Sequence, residues 1–352
     1  MTESREPSPE RPRRGPRRKS RKLPDKLIQV QEAELLEVYP DQAGLRLDQF
    51  LKLKLRWRSR TKVQELIAER DVTVNGLRVD RSYRVKLGET VRLPVPPPPP
   101  EQVIRMGEIA LDILHEDDQL IILNKPPDLV VHPAGKHKYD TLINALHLRY
   151  RSPDDPARDV IPKLAHRIDR ETSGVLIACK TRRADRSVPL IFERSEVRKE
   201  YLAIAEGVFE ENSGIIDLPI GREEGVDPNL ARRAVRPDGQ SARTGYEVVE
   251  RFRAFTLVRC RLFTGRMHQI RIHLQALGHP IVCDKLYGLR TELALSQARP
   301  LAPDETDRTL LARHALHAHR LTFAHPATGA PMTVEAPLPE DMRQTLEALR
   351  QG

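Results

Sequence analysis

The sequence predicts an α+β protein in which a small basic module precedes a larger domain built on a mixed, largely antiparallel sheet. Three observations support this prediction. Short apolar, strand-like segments recur at hairpin-like spacing beyond residue 106, helical segments lie between them, and a polyproline segment separates this region from a short basic one. A doubly wound parallel sheet would instead require a regular alternation of strands and helices.

The positive charge is concentrated at the start of the chain. The formal net charge is +9; residues 1–43 contain 10 Lys and Arg against 8 Asp and Glu, and residues 44–95 contain 13 against 6. The remaining residues are therefore neutral on balance. This distribution predicts a polyanionic partner, with the small basic region as its first contact.

Residues 1–27 are predicted to be a disordered basic tail. Within them, RPRRGPRRKSRK (residues 11–22) contains eight basic residues, two prolines and no acidic residue. A segment of this composition cannot bury enough apolar surface to fold. A solubilising tail and a non-specific RNA contact explain it equally well.

Residues 28–95 are predicted to form a compact module of two helices and a small hairpin sheet. The helices are expected at 46–56 and 59–70, with Ser59 as the N-cap of the second. Asn75-Gly76, within the alternating segment VTVNGLRV, predicts a tight hairpin. The helical side of this module is basic; its Lys and Arg residues are Lys52, Lys54, Arg56, Arg58, Arg60 and Lys62.

The larger domain is predicted over residues 106–350, after a stiff proline-rich linker at 96–105. Its predicted strands lie at 109–115, 120–124, 174–179, 201–205, 245–250 and 255–263. Its predicted helices lie at 140–150, 183–195, 266–277 and 338–350.

Several classes of protein are disfavoured. Cys179, Cys260 and Cys283 are single and far apart, which predicts neither a disulfide framework nor a metal pair and indicates a reducing cytoplasm. No apolar segment approaches the roughly 18 residues that span a bilayer, and no apolar leader is apparent near residue 1. Neither a phosphate-binding glycine-rich loop nor a dinucleotide fingerprint occurs, so no nucleotide or other organic cofactor is predicted.

The segment LAHRIDRETSGVLIACKT (residues 164–181) places five ionisable residues directly before an apolar strand. A solvated loop would explain this crowding. Arg271 offers another explanation, because in the helix GRMHQIRIHLQALG it shares a face with the apolar Met267 and Leu274. A buried arginine needs an anion, and Asp169 is the best candidate for an oriented ion pair with it.

Other combinations of residues are less favourable. His166, Asp169 and Ser173 could suggest a hydrolase triad, but no Gly-x-Ser-x-Gly elbow is present. Two histidine pairs have poor spacing or context for a metal, so no metal site is predicted. They are His268 with His273 and His132 with His137.

Tyr201 opens an apolar strand-like segment and is an ordinary core candidate. Beside Lys199, it could equally serve as a stacking platform for a nucleic-acid base, which aromatic side chains commonly provide.

These motifs together resemble the RluA-type pseudouridine synthases. HRIDRETSG (166–174) is similar to the family's His-Arg-Leu-Asp-x-x-Thr-Ser-Gly motif. Further matching stretches follow in the family's order: LNKPPDLVVHP, KEYLA, PIGR, TGRMHQIRIHL, GHPIVCDKLYG and LHAHRLTFAHP. Residues 28–95 resemble an S4-like RNA-binding domain through Ser59-Arg60, Leu66-Ile67 and Val74-Asn75-Gly76.

The resemblance implies conversion of uridine to pseudouridine in RNA, with base flipping and without a metal or cofactor. It implies that Asp169 is the catalytic aspartate, Arg271 its ion-pair partner and Tyr201 the aromatic that packs on the target base. Arg167 would occupy the space left by the flipped uridine. The other predicted substrate contacts are Arg170, Lys199, Ile270, Ser59 and Arg60.

The basic appendage favours large-subunit ribosomal RNA as the substrate. Transfer RNA and a non-catalytic RNA-binding or chaperone role are the alternatives. A cytoplasmic monomer is expected.

Overall fold

The structure is a computed structural model, and it describes residues 33–54, 60–69, 72–94, 107–133, 137, 139–152, 155, 159–225 and 232–352. Among these residues, no helix has the length and apolar character needed to cross a membrane. The predicted α+β class is confirmed. The predicted domain boundaries near 27, 95 and 105 lie in segments outside the described residues, so they stay predictions.

The N-terminal module is a four-stranded antiparallel sheet with two helices. Its elements are β1 (Ala33–Glu37), α1 (Leu47–Lys54), α2 (Arg60–Glu69), β2 (Thr73–Val74), β3 (Leu77–Arg78) and β4 (Thr90–Pro94), and the strand order is β1-β4-β2-β3. Asn75 and Gly76 have φ angles of 49° and 81°, which confirms the tight hairpin between β2 and β3. The module has a hydrophobic core of its own, in which Phe50, Val63 and Val91 are fully buried.

The larger domain has these strands: β5 (Ile113–Glu116), β6 (Leu120–Lys125), β7 (Lys163–Leu164), β8 (Ser173–Cys179), β9 (Arg198–Glu206), β10 (Ser213–Asp217), β11 (Ile220–Arg222), β12 (Arg233–Val235), β13 (Arg243–Arg251), β14 (Phe255–Leu262), β15 (Leu293–Ala294), β16 (Thr309–Leu311), β17 (Leu316–Ala324) and β18 (Pro331–Glu335). Its helices are α3 (Leu142–Tyr150), α4 (Arg182–Glu193), α5 (Gln269–Ala276), α6 (Leu295–Ala298) and α7 (Glu340–Arg350).

The main sheet has the order β10-β13-β14-β9-β17-β8-β6-β5, with β18 beside β17 and β7 beside β8. Strand β8 pairs with β17 in parallel, whereas the other pairings in this sheet are antiparallel. Every residue of β8 is buried, because this strand lies in the middle of the sheet between covered faces. The β8–β17 junction is where the charged segment at 166–171 enters the sheet.

Gly174 permits the close contact between β8 and β17. Its φ angle is 111°, and a Cβ at this position would lie 2.2 Å from the backbone oxygen of Ala318. Only glycine fits both the backbone conformation and the space.

Three predicted elements begin three or more residues away from their predicted starts. The strand expected from residue 109 begins at Ile113, and the one expected from Tyr201 begins at Arg198. The helix expected from 266 begins at Gln269, because His268 adopts a left-handed conformation with a φ of 58° that interrupts the helix. Met267 therefore lies in the preceding loop and does not share a helical face with Arg271.

Candidate active site

Asp169 lies in the loop that leads into β8. Ile168 on one side of it is 7% exposed, and Thr172 and Ser173 are buried at the start of the strand. The Asp169 side chain keeps 26% of its surface exposed. The loop therefore holds this carboxylate at the boundary between the core and the solvent.

Arg271, on α5, connects Asp169 to a second carboxylate. Its Nη1 donates a 2.9 Å hydrogen bond to Oδ2 of Asp169. Its Nε and Nη2 donate to the two oxygens of Asp284 at 2.6 and 2.8 Å, and its guanidinium lies 5.1 Å from the ring centroid of Tyr287. The arginine is thus held on one edge by Asp284 and directs its Nη1 group to Asp169. The predicted contact between Asp169 and Arg271 is present.

Asp284 was missed by sequence reasoning. Its side chain is fully buried, and Oδ1 also accepts hydrogen bonds from the backbone N–H groups of Leu286 and Tyr287, at 2.9 and 3.1 Å. The available signal was an acidic residue directly after the apolar segment at residues 280–283, within the family-like stretch GHPIVCDKLYG. Such an acid, once buried, requires a fixed cation.

The local charges keep both carboxyl groups ionised. Burial alone raises the pKa of Asp169, but nearby positive charge outweighs this effect, from His268 in its protonated form and from Arg271 at every pH, so the pKa lies below its usual value. Burial likewise opposes the ionisation of Asp284, and the hydrogen bonds and charge of Arg271 again lower the pKa. Arg271 is the permanent cation next to both carboxylates at neutral pH, because a guanidinium is always protonated.

His268 faces Asp169 from the start of α5. Its Nδ1 lies 2.9 Å from the hydroxyl of Tyr287, and its Nε2 lies 3.8 Å from Oδ2 of Asp169. Burial lowers the pKa of His268, and the neighbouring Asp169 carboxylate only partly offsets this effect. The imidazole is thus neutral at physiological pH and borders the carboxylate without forming a permanent ion pair.

Two buried basic side chains hold the backbone of the Asp169 loop. Lys125, which is fully buried at the end of β6, donates from Nζ to the carbonyl oxygens of Pro126, Leu129 and Arg170 at 2.7, 3.1 and 2.9 Å. Burial lowers its pKa to about 7. Arg313 donates to the carbonyl oxygen of Glu171 at 2.9 Å. The two residues that follow Asp169 in the loop are therefore fixed through their backbone.

Side-chain contacts complete the support of the same loop. Glu171 accepts a 2.9 Å hydrogen bond from Nζ of Lys285. Thr172 lies 2.8 Å from Nε2 of His314, and Ser173 lies 3.0 Å from Nδ1 of His317. These contacts come from different parts of the sequence, which explains how a short charged loop can have a defined shape.

Tyr201 lies on β9 and is 9% exposed. Burial and the negative charge of Asp169 raise its pKa. Tyr201 pairs with Ala318 of β17, which in turn pairs with Gly174 at the start of β8, where the Asp169 loop enters the sheet. Lys199 precedes it by two residues on the same face of the strand and is 6% exposed. The structure therefore brings four of the predicted residues into one region: Asp169, Arg271, Tyr201 and Lys199.

The remaining predicted contacts occupy varied positions. Arg167 is exposed, and Arg170, with half of its side chain exposed, pairs with Glu171 at 3.3 Å. Ile270 is 3% exposed and packs in the main core. Ser59 lies outside the described residues, and of Arg60 only its place at the start of α2 is described. Contact of these residues with substrate stays a prediction.

The side chains considered for a hydrolase triad have other partners. Nε2 of His166 accepts a 3.2 Å hydrogen bond from the backbone of Ile177, and its ring stacks on Phe192. Ser173 contacts His317.

Within the described part of the chain, no cluster of three or more His, Cys, Asp or Glu side chains could hold a metal ion.

Comparison with known proteins gives a uniform result. Residues 119–276 match the family model described as RNA pseudouridylate synthase, and residues 45–91 match the S4 domain. The chain is 39% identical over 317 residues to the ribosomal large subunit pseudouridine synthase D of Nitrosomonas europaea. This alignment covers 90% of this chain and 87% of that protein. It is 36% identical over 322 residues to the Escherichia coli protein of the same name, covering 89% and 93%. The solved structure titled human RNA pseudouridylate synthase domain containing 4 aligns with a TM-score of 0.53 and 26% identity, over 68% of this chain and 93% of that one.

Proposed function

The chain belongs to the RNA pseudouridylate synthase family and carries an S4 domain, and from this premise we propose that it modifies large-subunit ribosomal RNA with Asp169 as the catalytic carboxylate. The observation that carries the catalytic assignment is the orientation of a partly exposed carboxylate by Arg271, which is itself held by Asp284. A preorganised, ionised carboxylate at the boundary of a core is what nucleophilic or general-base catalysis needs.

The reaction is an isomerisation, so atoms balance without a co-reactant. The bond from C1′ to N1 of uracil breaks, the base turns, a bond forms from C1′ to C5, and the proton on C5 is replaced by one on N1. Asp169 can attack C1′ or remove the proton from C2′, and both routes require the ionised form that Arg271 favours. A site that excludes water keeps the detached base from escaping.

The target uridine must leave its stack to reach Asp169, at a cost of a few kcal/mol. Tyr201, which lies two strands from the start of β8 where the Asp169 loop enters the sheet, would pack against the flipped base and offset part of that cost. Arg167 and Arg170 are both exposed in the Asp169 loop, where they would meet the vacated stack and the RNA backbone.

Large-subunit ribosomal RNA is the substrate class that the similarities favour. The names of the two bacterial relatives describe that substrate, and residues 44–95 carry 13 Lys and Arg against 6 Asp and Glu. A separate basic module suits a large folded RNA, because phosphate contacts supply affinity without sequence information. Such a substrate would also place the protein in the cytoplasm.

Mapping pseudouridine in total RNA tests this proposal. A strain that lacks the gene is compared with the same strain complemented by the wild-type chain or by Asp169→Asn. We expect one or more large-subunit positions to lose pseudouridine in the deletion strain and to regain it with the wild-type chain alone. Loss confined to transfer RNA would contradict the substrate assignment, and full restoration by Asp169→Asn would contradict the catalytic one.

A further inference from the structure

Lys199 is a buried cation without a partner. Its side chain is 6% exposed, yet among the described residues its ammonium group forms no ion pair and no hydrogen bond. Burial, and then the positive charge of Arg266, lower its pKa. The Nζ atom itself is not fully buried, so it keeps contact with solvent in the free protein and is available to an anion that binds there.

A second cation lies at the same place. A Cβ on Gly265 would lie 3.6 Å from Nζ of Lys199, so the ammonium group lies directly beside the loop that precedes α5. Gly265 and Arg266 are exposed. Arg266 donates from Nε to the carbonyl oxygen of Ser241 at 3.0 Å, which fixes its guanidinium. Its two terminal nitrogens make no hydrogen bond within the described part of the structure.

The position of this pair relative to the catalytic carboxylate limits what it can bind. Lys199 is two residues from Tyr201 on the same strand face, which corresponds to about 6.6 Å along β9. Tyr201 in turn pairs with Ala318 of β17, which pairs with Gly174 at the start of β8, directly after the Asp169 loop. A ligand at Lys199 would therefore lie next to the base against which Tyr201 is proposed to pack.

We propose that Lys199 and Arg266 bind one backbone phosphate of the RNA strand that carries the target uridine. A phosphate satisfies both cations at once, whereas a uracil carbonyl oxygen would leave two like charges together without an anion. The inference rests on the proposed function and adds a specific subsite to it. The subsite would fix the strand so that the target sugar reaches Asp169.

The subsite is tested by replacing the phosphates of the RNA, one at a time, with an uncharged linkage. A short RNA that contains a mapped target uridine is made with a single methylphosphonate at each linkage near that uridine, and affinity and pseudouridine formation are measured. With the wild-type chain, we expect one linkage to lower affinity by about tenfold or more, the loss typical of a charge-assisted hydrogen bond. Lys199→Met should bind the unmodified RNA more weakly and lose the penalty at that linkage alone.

Two controls accompany the scan. Lys163→Met removes an equal charge from a lysine that is 58% exposed and paired with Asp185, and it should keep every penalty. Arg266→Gln should reduce the penalty at the same linkage as Lys199→Met. Because methionine keeps the apolar stem of the side chain and removes only a charge that has no partner in the free protein, Lys199→Met should unfold close to the wild-type temperature.

The outcomes separate this inference from the function on which it rests. If the wild-type chain forms pseudouridine but Lys199→Met retains the full penalty at every linkage, the phosphate subsite is wrong and the function stands. If Lys199→Met lowers turnover without any linkage dependence, Lys199 acts on the base and the inference is again overturned. If the wild-type chain forms no pseudouridine in any RNA, the proposed function fails and the subsite fails with it.

Discussion

Arg271 is bound more firmly to Asp284 than to Asp169. It donates two hydrogen bonds to the fully buried Asp284 and one to Asp169, whose side chain is 26% exposed. The guanidinium is therefore held mainly by Asp284, and its Nη1 group donates to Asp169. This division of its hydrogen bonds makes the ion pair with Asp169 one part of a larger network.

The stability of variants should reflect that division. We expect Arg271→Ala to lower the free energy of unfolding by about 3–5 kcal/mol, because it leaves a buried carboxylate without its cation. Arg271→Ala/Asp284→Asn should recover more stability than Arg271→Ala/Asp169→Asn, since water can reach Asp169 and cannot reach Asp284. Urea denaturation of the three variants measures this difference.

A surface pair provides the matched control for the buried network. Arg343 and Glu340 pair at 2.7 Å with more than half of each side chain exposed, so Arg343→Ala should cost no more than about 1 kcal/mol. Wild-type stability in Arg271→Ala would show that the buried network does not form.

Gly174→Ala should disturb both the fold and the site. The added Cβ would meet the backbone of Ala318, and the φ angle of 111° is unfavourable for alanine. We expect a loss of at least about 2 kcal/mol from strain and overpacking together, along with reduced activity, since the Asp169 loop enters β8 here. Gly278→Ala is the control, because φ is 86° but no atom lies within 4 Å. Equal losses in the two variants would show that the close approach of β17 is unimportant.

Two buried histidines predict acid sensitivity. Burial lowers the pKa of His314 and of His317 to about 4, whereas an unfolded imidazole titrates near 6.5. As pH falls, the unfolded state binds protons first, so stability that is complete above about pH 6.5 is lost progressively towards pH 4. The slope should approach about 1.4 kcal/mol per pH unit for each histidine.

The buried carboxyl groups change the stability of the protein only at lower pH. Asp169, Asp284 and Glu171 have lowered pKa values, so their contributions are present above the ordinary carboxyl range and are lost only as pH falls below it. Denaturation curves between pH 7 and 4.5 therefore report mainly on the histidines. His314→Gln should reduce the slope by one proton, and an unchanged slope would contradict the assignment.

Deleting residues 1–95 should leave a folded larger domain, because the N-terminal module has a separate core and the proposed catalytic residues lie beyond it. The deletion removes the net positive charge of the chain. We expect the slope of log affinity against log salt to become shallower by about 0.7–0.9 for each phosphate that the shortened protein no longer neutralises, with little change in turnover at saturating RNA. Deleting residues 1–32 alone separates the tail from the module. An unchanged slope in the larger deletion would show that the larger domain has a sufficient basic groove of its own.

Local patterns in the sequence predicted much of this molecule. The Asn75-Gly76 hairpin and the buried strand after residue 173 follow from turn chemistry and hydrophobic patterning, which depend on neighbouring residues. The contact between Asp169 and Arg271 could be predicted because an arginine among apolar residues requires an anion. Each of these predictions needs only the residues next to a position in the sequence, or one oppositely charged partner for a buried charge.

Other features depend on tertiary structure and could not be read from such patterns. Asp284 is one acid in a loop without periodicity, and its role appears only when α5 brings Arg271 beside it. Lys125 ends an apolar strand, where a lysine would ordinarily reach solvent, yet it is fully buried among three carbonyl oxygens. The late start of α5 follows from the left-handed backbone of His268, which overrides its helical pattern.

The most direct test of the central claim is pseudouridine formation by Asp169→Asn on the mapped target RNA, measured together with RNA affinity and thermal stability. Asparagine preserves the shape of the side chain and Arg271 keeps Asp284, so we expect near-wild-type unfolding and affinity within a few-fold, since phosphate contacts supply most of the binding. Pseudouridine formation should be undetectable. Substantial turnover by this folded, RNA-binding variant would contradict the assignment of Asp169 as the catalytic carboxylate.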